Sequence, residues 1–243
     1  MTAERTTGHL DNRLLAAIPP AVLRLLAPDL KEKIFKQGVV LQEAGEPIEH
    51  IYFPQTGMIS LVVVTQDGAA VEAGTIGREG AVGIHGGLGQ RFAFTRAVAQ
   101  LTSKCSYLHA ERFHKAVDDN QAIRELIERY TEMMLAEAQQ ITICNARHSA
   151  EVRLCRWLLQ TRDRVESDTL PLTQEFLAEM LGVRRTTVTL VARTLQAAGL
   201  IKYRRGVIHI EDAERLKSAA CECYAAINQK ALPQRLGFHL STS

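Results

Sequence analysis

Aromatic residues are scarce in this chain, at 5% of 243 positions, with a single tryptophan. Any core must therefore rest on Leu, Ile, Val and Ala, and a chain of this length can bury enough of them without disulfide staples. Nowhere do about 18 apolar residues run together, which excludes a membrane-spanning helix. Met1 to Leu10 carry no apolar stretch, so no secretion signal is expected. The five cysteines, Cys105, Cys144, Cys155, Cys221 and Cys223, are odd in number and scattered. They form no disulfide framework and point to a reduced, cytoplasmic setting. Apolar and charged fractions of 46% and 23% are ordinary for a globular protein.

A strong net charge is also missing. Lys and Arg number 29 and Asp and Glu 27, which leaves +2 and seems to argue against a nucleic-acid partner. The average hides an asymmetry. Residues 1–146 hold 14 basic and 17 acidic side chains, net −3, whereas residues 147–217 hold 13 and 9, net +4. Between residues 180 and 210 lie Arg184, Arg185, Arg193, Lys202, Arg204 and Arg205, with no acidic residue among them. Such a local field attracts an anionic partner.

The hydrophobic period changes along the chain. Leu14 to Leu30 reads as short helices broken at Pro19-Pro20 and Pro28. From about residue 33 to 109 the pattern is strand-like, with short β-branched runs such as His50–Phe53, Met58–Val64, Val71–Ile76 and Ala93–Leu101. Asp67-Gly68 between two runs carries a hairpin signature. The spacing suggests a β-sandwich or jelly roll. From Asp119 the period becomes helical. Ile123, Ile127, Tyr130, Met134 and Ile141 recur at steps close to a coiled-coil seam, which predicts a long helix whose stripe lies in a dimer interface. Packing on the chain's own strands is the alternative for that stripe.

After a further helix from Ser149 to about Glu166, Thr173 is placed to cap a helix that Gly182 ends. A second helix follows within three residues and buries Val188, Val191, Ala192 and Leu195. Two short helices joined by a glycine turn make a helix-turn-helix. Leu200 to Ile210 reads as two strands around a tight turn, the wing of a winged helix, and Glu211 to Asn228 as helical again. The N-terminal residues of a recognition helix face base edges. Here these are Arg184, Arg185, Thr186, Thr187 and Thr189, with Thr173 and Gln174 at the start of the preceding helix. Arginine bonds guanine in two-pronged fashion, and threonine offers a hydroxyl and a methyl. Arg193, Lys202, Arg204 and Arg205 can reach phosphates.

These stretches resemble the Crp/Fnr family of bacterial transcription regulators. The resemblance runs from about residue 12 to 215, in the order β-roll, long helix, winged helix. Its most specific part is Leu172-Thr-Gln-Glu-Phe-Leu-Ala-Glu-Met-Leu-Gly-Val-Arg-Arg-Thr-Thr-Val188 with Gly199-Leu-Ile201. It implies a homodimer on double-stranded DNA, a small-molecule effector and contact with RNA polymerase. Arg185 falls on the family's principal base-reading arginine. Thr186 stands where many members carry glutamate, and Leu190 where they often place a second arginine, so the operator is expected to differ from the best-known one.

In cyclic-AMP-binding members a Gly-Glu pair meets the ribose and an Arg-Ser-Ala run meets the phosphate. Glu79 and Arg91 match these positions, but Phe92 replaces the hydroxyl residue. That change removes a phosphate donor and disfavours cyclic AMP. The glycines from Gly83 to Gly89 lack the strand–helix context of a phosphate loop. Cys221-Glu-Cys223 supplies two ligands, too few for a tetrahedral site, and no metal is expected. No paired carboxylates or Ser/His/Asp set suggests catalysis.

The expected architecture is therefore α+β. It comprises a β-roll sensor at 12–118, a dimerisation helix at 119–147, a winged helix-turn-helix at 148–217 and an extension at 218–243. The expected function is sequence-specific transcription regulation. A rival reading is a cyclic-nucleotide-binding module whose C-terminal domain binds protein.

Overall fold

The computed structural model describes residues 8–66, 68 and 70–230. Asp67 of the expected hairpin signature lies outside them, and Gly68 takes a left-handed φ of 84°. The chain divides into two compact units, one of residues up to 61 with 75–136, the other of residues 62–74 with 137–230.

The first unit opens with two short helices, α1 (Arg13–Ala16) and α2 (Pro20–Leu26). Proline at the first position of α2 has no N–H to leave unpaired, which is why it starts a helix so readily. The strands are β1 (Lys31–Phe35), β2 (Val40–Gln42), β3 (His50–Pro54), β4 (Met58–Val64), β5 (Ala70–Ile76), β6 (Arg96–Leu101) and β7 (Ser103–His109). They form a three-stranded sheet in the order β1-β7-β3 and a four-stranded sheet in the order β2-β6-β4-β5. The non-sequential order is that of a jelly roll. β1 is missed by alternation because its first four residues, Lys31 to Ile34, are all exposed and only Phe35 is buried.

The glycine-rich stretch is a 3-10 turn, Ile84–Leu88, held against α3 (Ala110–Asp118). A Cβ at Gly87 would lie 2.8 Å from the Phe113 ring, so close packing accounts for the glycine.

The long helix α4 spans Gln121–Arg147. Its predicted stripe meets a different fate from the one the heptad spacing suggests. Ile123, Ile127 and Tyr130 are at most 2% exposed, in one core with Leu14, Ile51, Phe53, Leu108 and Phe113 of the same chain, and Met134 packs against that core. The β-roll absorbs this half of the stripe, so these residues do not form a dimer seam. Ile141 is buried as well, at 7% exposure. A period near 3.5 cannot distinguish a partner helix from a sheet, because either surface is served by one apolar face.

The second unit is built on α5 (Ala150–Val165), whose Trp157 donates from Nε1 to the buried Glu72 carboxylate at 2.8 Å. It continues through β8 (Thr169–Leu170), α6 (Gln174–Leu181), α7 (Arg185–Ala197), β9 (Ile201–Arg204) and β10 (Val207–Ile210). The sheet order is β8-β10-β9. The expected single closing helix is two, α8 (Ala213–Ala219) and α9 (Cys223–Lys230), because Ala220 turns to extended backbone.

Candidate nucleic-acid interface

Each junction of the helix-turn-helix has a local cause. Thr173 takes extended φ and ψ, and its Oγ1 accepts the Phe176 N–H at 3.2 Å, satisfying one orphan donor of α6. At the other end Gly182 adopts φ 61°, its N–H bonds the Glu179 carbonyl, and the Val183 N–H bonds Ala178. This is the paired closure that a left-handed residue permits, and it releases the chain in a new direction for α7.

Helix α7 is two-sided. Val188, Val191, Ala192 and Leu195 are buried, while Arg184, Arg185, Thr186, Leu190 and Arg193 are exposed. Arg184 is the N-terminal cap residue, so the first turn of α7 is the most basic part of the surface. Thr187 and Thr189 are half-buried. The Thr189 hydroxyl lies 2.7 Å from Gln174 Oε1 and 3.0 Å from the Arg185 carbonyl, so it braces α6 against α7. Arg185 Nη1 stands 3.6 Å from Glu175 Oε1, both side chains largely exposed. An exposed pair of this kind contributes about 0–1 kcal/mol and yields readily to a phosphate or a base.

The wing turns at Arg205 and Gly206, whose φ values are 51° and 74°. Two consecutive positive φ angles make the tight turn whose twist matches an antiparallel hairpin. Arg204 and Arg205 are exposed at this tip. Lys202 is exposed too, but its Nζ pairs with Glu211 at 2.9 Å. Tyr203 ties the wing down. Its hydroxyl donates to the Leu172 carbonyl at 2.8 Å, and its N–H donates to Gln196 Oε1 at 2.9 Å. Burial pushes the Tyr203 phenol up, against the lowering influence of the Arg185 charge.

The fold thus gathers Thr173, Gln174, Arg185 and Arg205 around one groove, with Tyr203 at its base. Sequence reading missed Tyr203 and Gln196, whose bonds to partners 31 and 7 residues away leave no periodic trace.

In the first unit, Glu79 is half-buried and its carboxylate accepts the Gly77 N–H at 2.9 Å. Arg91 is exposed, followed by Phe92 at 53% exposure. The loop bearing Glu79 is held by Asn12, whose amide donates to the Gly80 and Pro54 carbonyls, each at 2.8 Å.

A buried apolar face, a basic exposed face and an anchored wing define a DNA-binding winged-helix regulator. The family model described as a Crp-like helix-turn-helix domain matches residues 152–219, and the cyclic nucleotide-binding domain model matches residues 32–120. With both domains in this order, the chain belongs to the Crp/Fnr family of transcription regulators. No match stands out among curated protein sequences.

Solved structures share the fold. FixK2 from Bradyrhizobium japonicum is similar at 17% identity and a TM-score of 0.68, over 79% of this chain and 98% of that one. A putative Crp/Fnr regulator from Eubacterium rectale gives 18% and 0.70, over 86% and 98%. The c-di-GMP-responsive regulator CLP from Xanthomonas campestris gives 17% and 0.65, over 80% and 100%. No helix among the described residues is long and apolar enough to cross a membrane.

Proposed function

We propose that this regulator reads DNA as a cytoplasmic homodimer, placing one α7 in each of two half-sites about one helical turn apart. The observation that carries this reading is the two-sidedness of α7, with a buried apolar face opposite exposed Arg184, Arg185, Thr186, Leu190 and Arg193. Arg185 is assigned to a guanine edge, and Leu190 supplies apolar contact for a thymine methyl. Arg204 and Arg205 are assigned to phosphate. Thr189 and Gln174 serve mainly to position the helix.

The dimer contact is assigned to the face of α4 that the β-roll leaves uncovered. It carries Leu135 and Ile143, which are 59% and 54% exposed and two turns apart. The DNA-bound dimer would contact or obstruct RNA polymerase.

The β-roll is assigned a small-molecule effector that cyclic AMP does not represent, because an exposed phenyl at Phe92 follows Arg91 where a phosphate-binding hydroxyl would be needed. Responsiveness to c-di-GMP is described for CLP. That places cyclic dinucleotides among the compounds to try, with Glu79 and Arg91 as the residues to alter.

Operator selection from random double-stranded DNA, run without ligand and with cyclic mono- and dinucleotides, tests the proposal. Recovery of a two-fold symmetric sequence with half-sites about ten base pairs apart is the expected outcome. Recovery of no preferred sequence under any condition would overturn it.

A further inference from the structure

Four potential metal ligands converge in the second unit. Cys144 lies in the last turn of α4, His148 just beyond that helix, and Cys221 and Cys223 at the start of the last helical segment. One ligand atom from each lies within 4.8 Å of every other. The three cysteines are buried, at 0%, 7% and 1% exposure, and His148 is half-buried.

The separations fit a single ion. A tetrahedral zinc with bonds of about 2.3 Å to sulfur and about 2.0 Å to nitrogen sets its ligand atoms about 3.5–3.8 Å apart. Cys144 Sγ and Cys221 Sγ are 3.5 Å apart, and Cys223 Sγ is 3.6 Å from His148 Nδ1. Ligands of an iron–sulfur cluster attach to different irons and must stand further apart.

The surroundings are those of a metal centre. His148 presents Nδ1 to the thiols and Nε2 to Glu222 Oε1 at 3.2 Å, the carboxylate–histidine arrangement that fixes the tautomer of a metal-bound imidazole. Gln140 Nε2 donates to Cys223 Sγ at 3.1 Å, a bond that favours thiolate. Beside the cluster, Arg153 and Arg156 are 8% and 4% exposed, act electrostatically on Cys144 and have no carboxylate partner among the described residues. Buried cations need counter-charge. Three thiolates and a neutral imidazole around a divalent ion carry net −1, which supplies it.

We infer that Cys144, His148, Cys221 and Cys223 form a closed, four-ligand site for one Zn2+ that fastens the C-terminal helices to the end of α4. Soft thiolate donors in tetrahedral array favour zinc over the hard alkaline-earth cations. With no open coordination position, the site is structural. Cys221-Glu-Cys223 alone supplies half of a ligand set, and the expectation of no metal is thereby revised. The other half lies 73 residues or more earlier, so no contiguous motif announces it.

The test uses the full chain, purified under reducing conditions and freed of any affinity tag. Elemental analysis is expected to give one zinc per chain and negligible iron. Replacing zinc by Co2+ should produce the intense visible bands of a tetrahedral ion together with thiolate charge-transfer absorption. Cys223→Ser and His148→Ala should each lower retained metal at least tenfold under chelator competition, with circular dichroism checking that each variant is folded. Cys155→Ser should leave the stoichiometry at one. Absence of metal from wild type that also fails to take up Zn2+, a Cys144–Cys221 disulfide in its place, or iron with inorganic sulfide would each overturn the inference.

Discussion

The Tyr130 hydroxyl accepts the backbone N–H of Ala81 at 3.1 Å, joining α4 to the loop that carries Glu79. Contact is so close that a Cβ at Gly80 would lie 2.0 Å from that hydroxyl. Tyr130→Phe leaves a buried N–H unpaired and should cost about 1–3 kcal/mol of unfolding free energy. Gly80→Ala forces the ring to move and should cost a similar amount, about 1–3 kcal/mol. Chemical denaturation measures both. Equal midpoints for wild type and both variants would show that the contact contributes nothing.

Arg185→Ala should weaken binding to the selected operator by about 1–3 kcal/mol and relax preference at one base pair, with non-specific binding changing far less. Competition titrations with singly substituted operators measure this. Equal losses on specific and random DNA would remove Arg185 from base reading.

The wing gives a graded expectation. Replacing Arg204 and Arg205 by Gln should reduce the slope of log K against log salt by about 1.8, roughly 0.9 for each phosphate contact. Lys202→Gln alone should change it little, since Lys202 is already paired with Glu211. A larger effect from Lys202 than from the arginine pair would reverse the assignment.

The two faces of α4 should separate in experiment. Ile127→Ala lies in the core and should cost about 2–5 kcal/mol of stability. Leu135→Asp with Ile143→Asp should preserve the fold and convert a dimer to a monomer in analytical ultracentrifugation. A double variant that stays dimeric would place the interface elsewhere.

Acid should destabilise the first unit. His9, His50 and His85 all have pKa values below the ordinary 6.5, with burial the largest cause in each; Glu32 acts in the raising direction on His9, and the neighbouring His109 adds to the lowering of His50. The unfolded chain then binds more protons than the folded one as pH falls below 6.5, and stability declines from there until the folded-state values are passed. Melting temperature should therefore fall between pH 7.5 and 5.5, less steeply in His85→Gln. The reverse trend would contradict these burial effects.

Thiol reactivity separates the remaining cysteines. Burial pushes Cys105 and Cys155 up to about 12, so both remain thiols at neutral pH and have no electrostatic cause to react.

The sequence by itself determined every element whose signal is local. The Thr173 cap, the Gly182 closure, the buried face of α7, the wing turn and the uninterrupted run of α4 follow from capping, positive φ and a 3.6-residue period. So does the basic surface, because six charges without an acid in residues 180–210 leave the surface no other sign. Only the tertiary structure decided which surface covers Ile123, Ile127 and Tyr130, since one apolar stripe suits a partner helix and a β-roll equally well. It also decided that Lys202 is paired, that Tyr203 anchors the wing, and that Cys144 and His148 complete what Cys221 and Cys223 begin. Each of these joins residues far apart in the chain, and contacts of that kind are fixed by packing and leave no period to read.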